Sequence, residues 1–258
     1  MQVETKTLSG GGTLKIYLRE AAEAMPDAVL RPMIVVVPGG GYNHLSPRES
    51  DPVALQFAAA GYHTAVLSYS VGEGAQNDQP LRQLNEALKL LRDHAEEWNI
   101  LPGKIAVCGF SAGGHLALSS AVRELPDCDD QQRPDAVILG YPVISAGEFA
   151  HRGSFQMLAG SPDPAAQQRF SLEDKITPQT PPVFVWHTME DQTVPVENTL
   201  LLLAALRRAG VPCEAHLFEK GVHGTSISTP EVNTASVHRH HWVELAVEWL
   251  GDTFGFHI

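Results

Sequence analysis

Cysteine and positive charge are both scarce in this sequence, and each shortage argues against a class of protein. The 258 residues include three cysteines, none in a C-x-x-C pair, so a disulfide scaffold is not supported. The 18 basic side chains are outnumbered by 30 acidic ones, which gives a formal net charge of −12. This balance argues against nucleic acid and anionic membrane surfaces as partners, and it suits a neutral or cationic small molecule.

Long apolar stretches are also absent. No run of the sequence approaches membrane-spanning length, and residues 1–12 lack the apolar core of a signal peptide. The sequence therefore predicts a cytoplasmic protein without a membrane partner, and it gives no oligomeric state. Cys108 and Cys213 fall in predicted strands, where we expect them to be small buried hydrophobic residues.

Strand and helix patterns alternate along the chain. Residues 3–8 and 13–18 alternate in polarity around three glycines, which predicts an antiparallel hairpin at a sheet edge. Further strands are predicted at 33–37, 63–69, 105–109, 136–141, 182–187 and 214–218, and the apolar runs at 33–37, 105–109 and 136–141 indicate buried strands. Apolar residues at helical spacing predict helices at 51–60, 81–98, 196–209 and 240–250, the first with Asp51 as its N-cap.

This alternation predicts an α/β fold in one domain over residues 1–258. We expect a mostly parallel, twisted sheet of about eight strands, with an antiparallel N-terminal edge hairpin and helices on both faces. Residues 145–181 are the least regular part, with several glycines and prolines, and we expect them to form a cap-like insertion over the sheet. Active sites of such sheets collect at the carboxyl ends of the strands.

The central motif of the chain is Gly109-Phe-Ser111-Ala-Gly113, a G-x-S-x-G sequence between an apolar strand and an Ala/Leu-rich helix. The glycines allow two backbones to approach closely at a sharp turn, and Ser111 then stands at its tip above a helix N-terminus. This order of elements is typical of the nucleophile elbow of α/β hydrolases. The alternative is a serine that only caps a helix.

A serine hydroxyl is a weak nucleophile unless a base lies within hydrogen-bond reach and an acid orients that base. Of the twelve histidines, His223 follows the last predicted strand by a short loop, which places it where the base belongs. Glu190 and Asp191 both follow an earlier strand and qualify as the acid. The run Thr193-Val-Pro195 favours Asp191, because it resembles the acid loop of esterases and prolyl peptidases, and leaves Glu190 a solvated neighbour.

Attack on a carbonyl creates an oxyanion, which backbone N–H groups can stabilise. We assign Gly40, Gly41 and the residue after the nucleophile, Ala112, as these donors, with Gly39 a weaker candidate. Pro38 stands where the H-G-G-G-type motif of lipases carries histidine. We expect Tyr42 and His44 to border the substrate pocket with the insertion, and bracing of the glycine loop is the alternative for Tyr42.

The remaining histidines give weaker signals. His238 and His241 are three residues apart and could face one another as metal ligands, but no cysteine or carboxylate supports them. We therefore expect a solvated helix face there, and neither a metal nor a cofactor. His115 and His187 are expected to be structural, and His216 to pack against the sheet.

Five motifs together resemble those of a known family: Pro38–Tyr42, Gly109–Gly114, Pro181–Thr188, Asp191–Asn198 and Gly221–Gly224. They are similar to motifs of small bacterial esterases related to acetyl xylan esterases, within the hormone-sensitive-lipase-like esterases. The resemblance implies an α/β-hydrolase fold and cofactor-free hydrolysis of short acyl esters by Ser111, His223 and Asp191, with acetylated saccharides among the candidate substrates.

Three other functions remain open from the sequence. The same triad could hydrolyse amides or formamides, as in an arylformamidase or an oligopeptidase. The chain could also be a non-catalytic binding module on a hydrolase scaffold, against which the intact Ser–Asp–His set argues. A lyase or dehalogenase is the third, but those usually place an acid at the elbow or rebuild the oxyanion loop, and neither change is present.

Overall fold

The computed structural model describes residues 1–21, 29–126 and 129–257, in which strands and helices alternate. The strands are β1 (Gln2–Thr7), β2 (Thr13–Leu18), β3 (Arg31–Val37), β4 (His63–Ser68), β5 (Ile100–Phe110), β6 (Ala136–Gly140), β7 (Val183–Thr188) and β8 (Cys213–Phe218). The helices are α1 (Asp51–Ala59), α2 (Gln79–Asp93), α3 (Ala112–Val122), α4 (Arg152–Ala159), α5 (Pro164–Gln167), α6 (Glu197–Ala209) and α7 (Val237–Phe254). Cys128 lies outside the described residues.

All of these strands belong to one sheet, in the order β1-β2-β4-β3-β5-β6-β7-β8. β2 pairs antiparallel with both β1 and β4, and the other neighbours pair parallel. This confirms the predicted fold class and the N-terminal edge hairpin. The chain passes from β3 to β4 on one side and to β5 on the other, so a topological switch point lies between β3 and β5. Ligands of open α/β sheets bind at such a point.

Hydrophobic residues fill both faces of the sheet. Val35 and Val37 of β3 pack in the cluster covered by α2, α3 and α6, while Ile34 and Val36 pack in the cluster covered by α1 and α7. The stripe of α2 that begins at Leu81 is buried on the first face. Because both faces are covered, the central strands carry apolar residues on both faces, which is why their sequences do not alternate.

The start of α1 differs from the prediction by one residue. Ser50 is the N-cap and Asp51 is the first helical residue. The Asp51 carboxylate accepts hydrogen bonds from Lys15 Nζ at 2.9 Å and Tyr17 Oη at 2.7 Å. Its side chain therefore ties the helix to strand β2 and does not cap the helix.

The two described cysteines occupy different surroundings. Cys108 lies in the centre of the sheet on β5 and is buried, as predicted, whereas Cys213 is exposed. The prediction for Cys213 was wrong because β8 is an edge strand, and the sequence pattern does not reveal which strand forms an edge.

The elbow glycines lie where strand and helix backbones touch. A Cβ added to Gly109 would overlap the backbone of Gly113, and one added to Gly113 would overlap the carbonyl oxygens of Val37 and Pro38. The expected close approach of two backbones at the turn is therefore present, and it also brings the end of β3 against the start of α3.

We expect Gly113→Ala to lower the free energy of unfolding by about 1–3 kcal/mol, because backbone atoms cannot rotate away from the new methyl group. Elsewhere in a helix the same change stabilises by roughly 0.5–1 kcal/mol, so the sign itself is informative. Gly103→Ala is the matched control, since no atom lies within 4 Å of its added Cβ. Urea unfolding of both variants measures the difference, and equal stabilities would contradict the prediction.

Stability should also depend on pH through two buried histidines, His63 on β4 and His115 on α3. Burial lowers the pKa of each ring to about 4. An unfolded histidine titrates near pH 6.5, so the unfolded chain binds more protons between these values and stability is lost as the pH falls through the window. We expect each ring to remove on the order of 3 kcal/mol across it.

Urea unfolding at about pH 7.5 and 5.5 tests this dependence. In His63→Gln the amide keeps an acceptor for the Arg19 N–H and a donor for the Asn99 carbonyl, the two groups that His63 contacts. We expect His63→Gln to lose less stability than the parent protein when the pH is lowered. The control, His241→Gln on the exposed start of α7, is expected to lose as much as the parent protein. A slope unchanged in His63→Gln would overturn the assignment.

Candidate active site

Three side chains from separate loops meet at the carboxyl ends of β5, β7 and β8. The Oγ atom of Ser111 lies 2.8 Å from Nε2 of His223. On the other side of the ring, Nδ1 of His223 lies 2.6 Å from Oδ2 of Asp191. The structure therefore brings the predicted nucleophile, base and acid into one hydrogen-bonded chain.

Ser111 has a backbone conformation that non-glycine residues rarely adopt, with φ of 53° and ψ of −121°. Its N–H donates to the Gly140 carbonyl at 3.0 Å, and its carbonyl accepts from the N–H groups of His115 and Val143. These bonds hold a conformation that costs on the order of 1–3 kcal/mol. The side chain makes no capping bond to α3, so the helix-capping alternative has no support.

The Asp191 carboxylate is buried and surrounded by donors. Oδ1 accepts the N–H groups of Thr193 and Val194 at 3.0 Å each, while Oδ2 faces His223 and, at 3.3 Å, Nε2 of His187. Burial alone would raise the pKa of Asp191, but hydrogen bonds from His187, His223 and Val194 outweigh it. The pKa lies well below its ordinary value, so the carboxyl group is ionised.

His187 makes a second imidazole contact with the acid, which the sequence did not reveal. Its Nε2 also lies 3.0 Å from the Val194 carbonyl, and its Nδ1 lies 2.8 Å from Thr199 Oγ1. Because the carbonyl and the Asp191 carboxylate only accept, we assign the proton to Nε2 and the donation at Nδ1 to the Thr199 hydroxyl. This arrangement agrees with the structural role expected for His187.

Glu190 does more than the predicted solvated neighbour would. Its side chain is exposed, but Oε2 accepts the N–H of Gly221 at 3.0 Å. The Thr188 hydroxyl donates to the Gly221 carbonyl at 2.8 Å. The backbone N–H and carbonyl of Gly221 are therefore both held by side chains at the end of β7 and just after it. These bonds position the loop that carries His223.

The glycine loop after β3 leaves two amides free. Gly39 donates its N–H to Glu49 Oε2 at 2.8 Å, so this amide is already used. Gly40 and Gly41 line the cavity beside Ser111, and no described residue accepts from their N–H groups or from that of Ala112. Gly40 has φ of 127°, and a Cβ there would strike the His44 carbonyl, so the turn requires glycine.

Glu49 is a buried carboxylate that joins two loops of the site. Beside the bond from Gly39, its Oε1 accepts the Tyr141 hydroxyl at 2.5 Å. That hydroxyl oxygen in turn accepts the Ser226 N–H at 3.0 Å, and the Tyr141 ring meets the His223 ring edge-on at a centroid distance of 4.9 Å. One carboxylate thus links the glycine loop to the His223 loop. Its sequence surroundings, Ser-Pro-Arg-Glu-Ser, carry no motif that predicts this.

Tyr42 does not border the cavity, which corrects its assignment to the substrate pocket. The side chain is buried, and its hydroxyl lies 2.8 Å from Nδ1 of His115. Nε2 of His115 lies 2.8 Å from the Phe170 carbonyl, which can only accept, so the Tyr42 hydroxyl donates to Nδ1. Tyr42 therefore braces the glycine loop against α3, the alternative that the sequence left open.

A cavity of about 440 Å³ opens above Ser111. His44 lies on it, as predicted, and His151, Gly153 and Met157 of the 145–181 segment form one of its walls. Most of the other side chains around it are polar. The lining residues are Gly40, Gly41, Asn43, His44, Ser46, Arg48, Glu49, Ser111, His151, Gly153, Met157, Thr193, His223 and Gly224.

The two histidines considered as metal ligands make other contacts. The His238 ring packs edge-on against Phe218, and Nδ1 of His241 lies 2.8 Å from Glu244 Oε2. His216 contacts Glu214 and the Phe184 ring. None of the helices in the described part of the chain combines the length and apolar character needed to cross a bilayer.

A serine elbow, an acid loop and a histidine loop at the carboxyl ends of a mostly parallel sheet define an α/β hydrolase. The chain belongs to the BD-FAE family, whose model matches residues 14–206. An acetyl ester-xyloside bifunctional hydrolase from Caldicellulosiruptor lactoaceticus has a similar structure, with a TM-score of 0.85 and 36% identity over 97% of this chain and 91% of that one.

Two curated relatives match this chain over only part of their own length. Endo-1,4-beta-xylanase B of Butyrivibrio fibrisolvens is 37% identical over 216 residues, which are 80% of this chain and 34% of that protein. An acetylxylan esterase of Xylanibacter ruminicola is 33% identical over 203 residues, 76% of this chain and 41% of that protein. The chain thus spans between a third and a half of the length of these relatives, and it is an α/β hydrolase related to carboxylic ester hydrolases.

Proposed function

We propose that this protein is a serine esterase that removes short acyl groups, acetyl above all, from polar alcohols such as sugars and xylo-oligosaccharides. The observation that carries the proposal is the continuous hydrogen-bonded chain Ser111–His223–Asp191, at 2.8 and 2.6 Å, at the base of an open cavity. The names of the relatives, acetylxylan esterase among them, support the acyl group and the saccharide.

In the first half of the reaction, Ser111 Oγ attacks the ester carbonyl while its proton passes to Nε2 of His223. Asp191, ionised and bonded to Nδ1, holds the ring in the tautomer that can accept this proton and stabilises the imidazolium that forms. The free N–H groups of Gly40, Gly41 and Ala112 donate hydrogen bonds to the oxyanion. Loss of one such donor costs on the order of 3 kcal/mol of transition-state stabilisation.

In the second half, the tetrahedral intermediate collapses and Nε2 of His223 gives its proton to the departing alcohol oxygen. An acyl group now rests on Ser111 Oγ. Water enters and loses a proton to His223, and its oxygen attacks the acyl carbonyl. The second tetrahedral intermediate expels Ser111 Oγ, which regains its proton from His223, and the free acid leaves.

The cavity supports a small acyl group and a polar alcohol. Its volume of about 440 Å³ is in the lower part of the range for small-molecule sites, and Asn43, His44, Arg48, His151 and Thr193 bring hydrogen-bonding groups to a lining whose surface is otherwise largely apolar. The wall contributed by residues 145–181 contains only short helices, α4 with eight residues and α5 with four. It forms no long amphipathic lid of the kind that lipases use at a lipid surface.

Steady-state kinetics on p-nitrophenyl esters of increasing acyl length, followed by acetylated xylose and xylo-oligosaccharides, tests the proposal. We expect the highest kcat/KM at acetate and measurable deacetylation of the sugars. Parallel assays with N-formylkynurenine and a proline anilide address the amide alternatives, and a preference for either would overturn the ester assignment. Absence of labelling of Ser111 by a fluorophosphonate would favour a binding module.

A further inference from the structure

His151 places an imidazole on the wall of the cavity, beside the glycine loop. It is the N-cap of α4 and lines the same cavity as Ser111 and His223. A Cβ built on Gly41 would lie 3.7 Å from Cε1 of His151, so the ring stands beside one of the proposed oxyanion donors. No sequence motif pointed to this histidine.

Hydrogen bonds fix which nitrogen of His151 carries the proton. Nδ1 accepts the backbone N–H of Ser154 at 3.4 Å, as an N-cap does, and lies 2.8 Å from the Ser154 hydroxyl. Because a backbone N–H can only donate, Nδ1 is an acceptor and the neutral ring carries its proton on Nε2. Within the described part of the chain, no group accepts from that N–H.

The surroundings also keep the ring uncharged. Burial and the charge of His223 lower the pKa of His151, and the smaller effect of Asp191 only partly opposes them. The free Nε2–H is therefore a neutral donor, which suits a hydroxyl oxygen as its acceptor.

The position of the ring indicates which part of a substrate it meets. His223 must protonate the departing alcohol oxygen, so the alcohol leaves on the His223 side of the ester, while the carbonyl oxygen points to Gly40 and Gly41. His151 borders the same cavity as His223 and Gly224, so its ring faces the space that the alcohol part must occupy as it leaves.

We infer that Nε2 of His151 donates a hydrogen bond to a hydroxyl group on the alcohol part of the substrate, and so selects esters of polyhydroxy alcohols over esters of simple alcohols. This inference rests on the proposed esterase function and adds to it the residue that recognises the alcohol. A substrate hydroxyl that accepts this hydrogen bond lowers the free energy of the bound state. An alcohol without a further hydroxyl leaves the Nε2–H group unpaired.

The test compares two substrates in three proteins. The substrates are a monoacetylated methyl xyloside, which has free hydroxyls, and cyclohexyl acetate, which has none. His151→Asn keeps an oxygen that caps α4 but has no donor that reaches the cavity, whereas His151→Gln puts its amide N–H near the position of Nε2. His151→Ser, also a good N-cap, serves if the asparagine variant does not fold.

We expect His151→Asn to lower kcat/KM for the xyloside by about ten-fold more than for cyclohexyl acetate, and His151→Gln to restore most of the difference. Equal proportional losses on both substrates, or a parent protein that hydrolyses cyclohexyl acetate but not the xyloside, would overturn the inference. A parent protein inactive on both esters and on p-nitrophenyl acetate would instead overturn the proposed esterase function.

Discussion

Replacing Ser111 with alanine is expected to lower kcat by about 10³-fold or more while the protein stays folded. The hydroxyl supplies the attacking oxygen, and it lies 2.8 Å from Nε2 of His223, the base that takes its proton. Alanine is smaller than serine and adds no atom that could disturb the turn. Hydrolysis of p-nitrophenyl acetate, measured beside a thermal unfolding curve, gives both quantities.

Ser120→Ala is the matched control for this variant. Ser120 lies on α3 nine residues after the nucleophile, is buried, and its hydroxyl donates to the Ala117 carbonyl within the helix. The same deletion of one oxygen should leave kcat within about two-fold of the parent value. If Ser111→Ala retained near-full activity, the assignment of the nucleophile would be wrong.

The second large effect is expected for Asp191→Asn, with a loss of about 10³- to 10⁴-fold in kcat. The N–H groups of Thr193 and Val194 require an acceptor at Oδ1, so the asparagine oxygen takes that place and its NH₂ group faces His223. Nδ1 of His223 must then accept, which moves the ring proton to Nε2. That tautomer cannot take the proton of Ser111.

Glu190→Gln controls for the loss of a carboxylate in the same loop. Its amide oxygen can still accept the N–H of Gly221, so the loop that carries His223 stays in place. We expect at most a few-fold loss of kcat in this variant, because only an exposed charge is removed. Comparable losses in Asp191→Asn and Glu190→Gln would show that Asp191 is not the residue that orients His223.

The sequence predicted the sheet and the loops of the site because both depend on local patterns. Apolar runs follow from burial on two faces, so strands β3, β4, β6 and β7 could be located within a residue or two, whereas β5 begins five residues before its predicted start. The loops of Ser111, Asp191 and His223 follow predicted strands. Since parallel strands end at one edge of the sheet, these loops were expected to meet there, and they do.

The residues that the sequence did not reveal act through contacts between distant segments. Glu49 reaches Tyr141, His187 reaches Asp191 from the strand before it, and His151 comes from an irregular stretch without periodicity. Tyr42 was misassigned for a related reason. The backbone turns at Tyr42, which has φ of 59°. Whether the ring then points to solvent or to His115 depends on packing that no local pattern encodes.

The carboxylate of Glu49 gives the site a shared anchor, because the Gly39 amide and, through Tyr141, the Ser226 amide both depend on it. Because both loops are bonded to the same carboxylate, a displacement of one also displaces the other. The oxyanion donors of the glycine loop and the base His223 therefore stay aligned. The wall from residues 145–181 contributes none of these bonds. Substitutions in residues 145–181 can therefore change the substrate range while the hydrogen bonds of Glu49 preserve the geometry of the reacting groups.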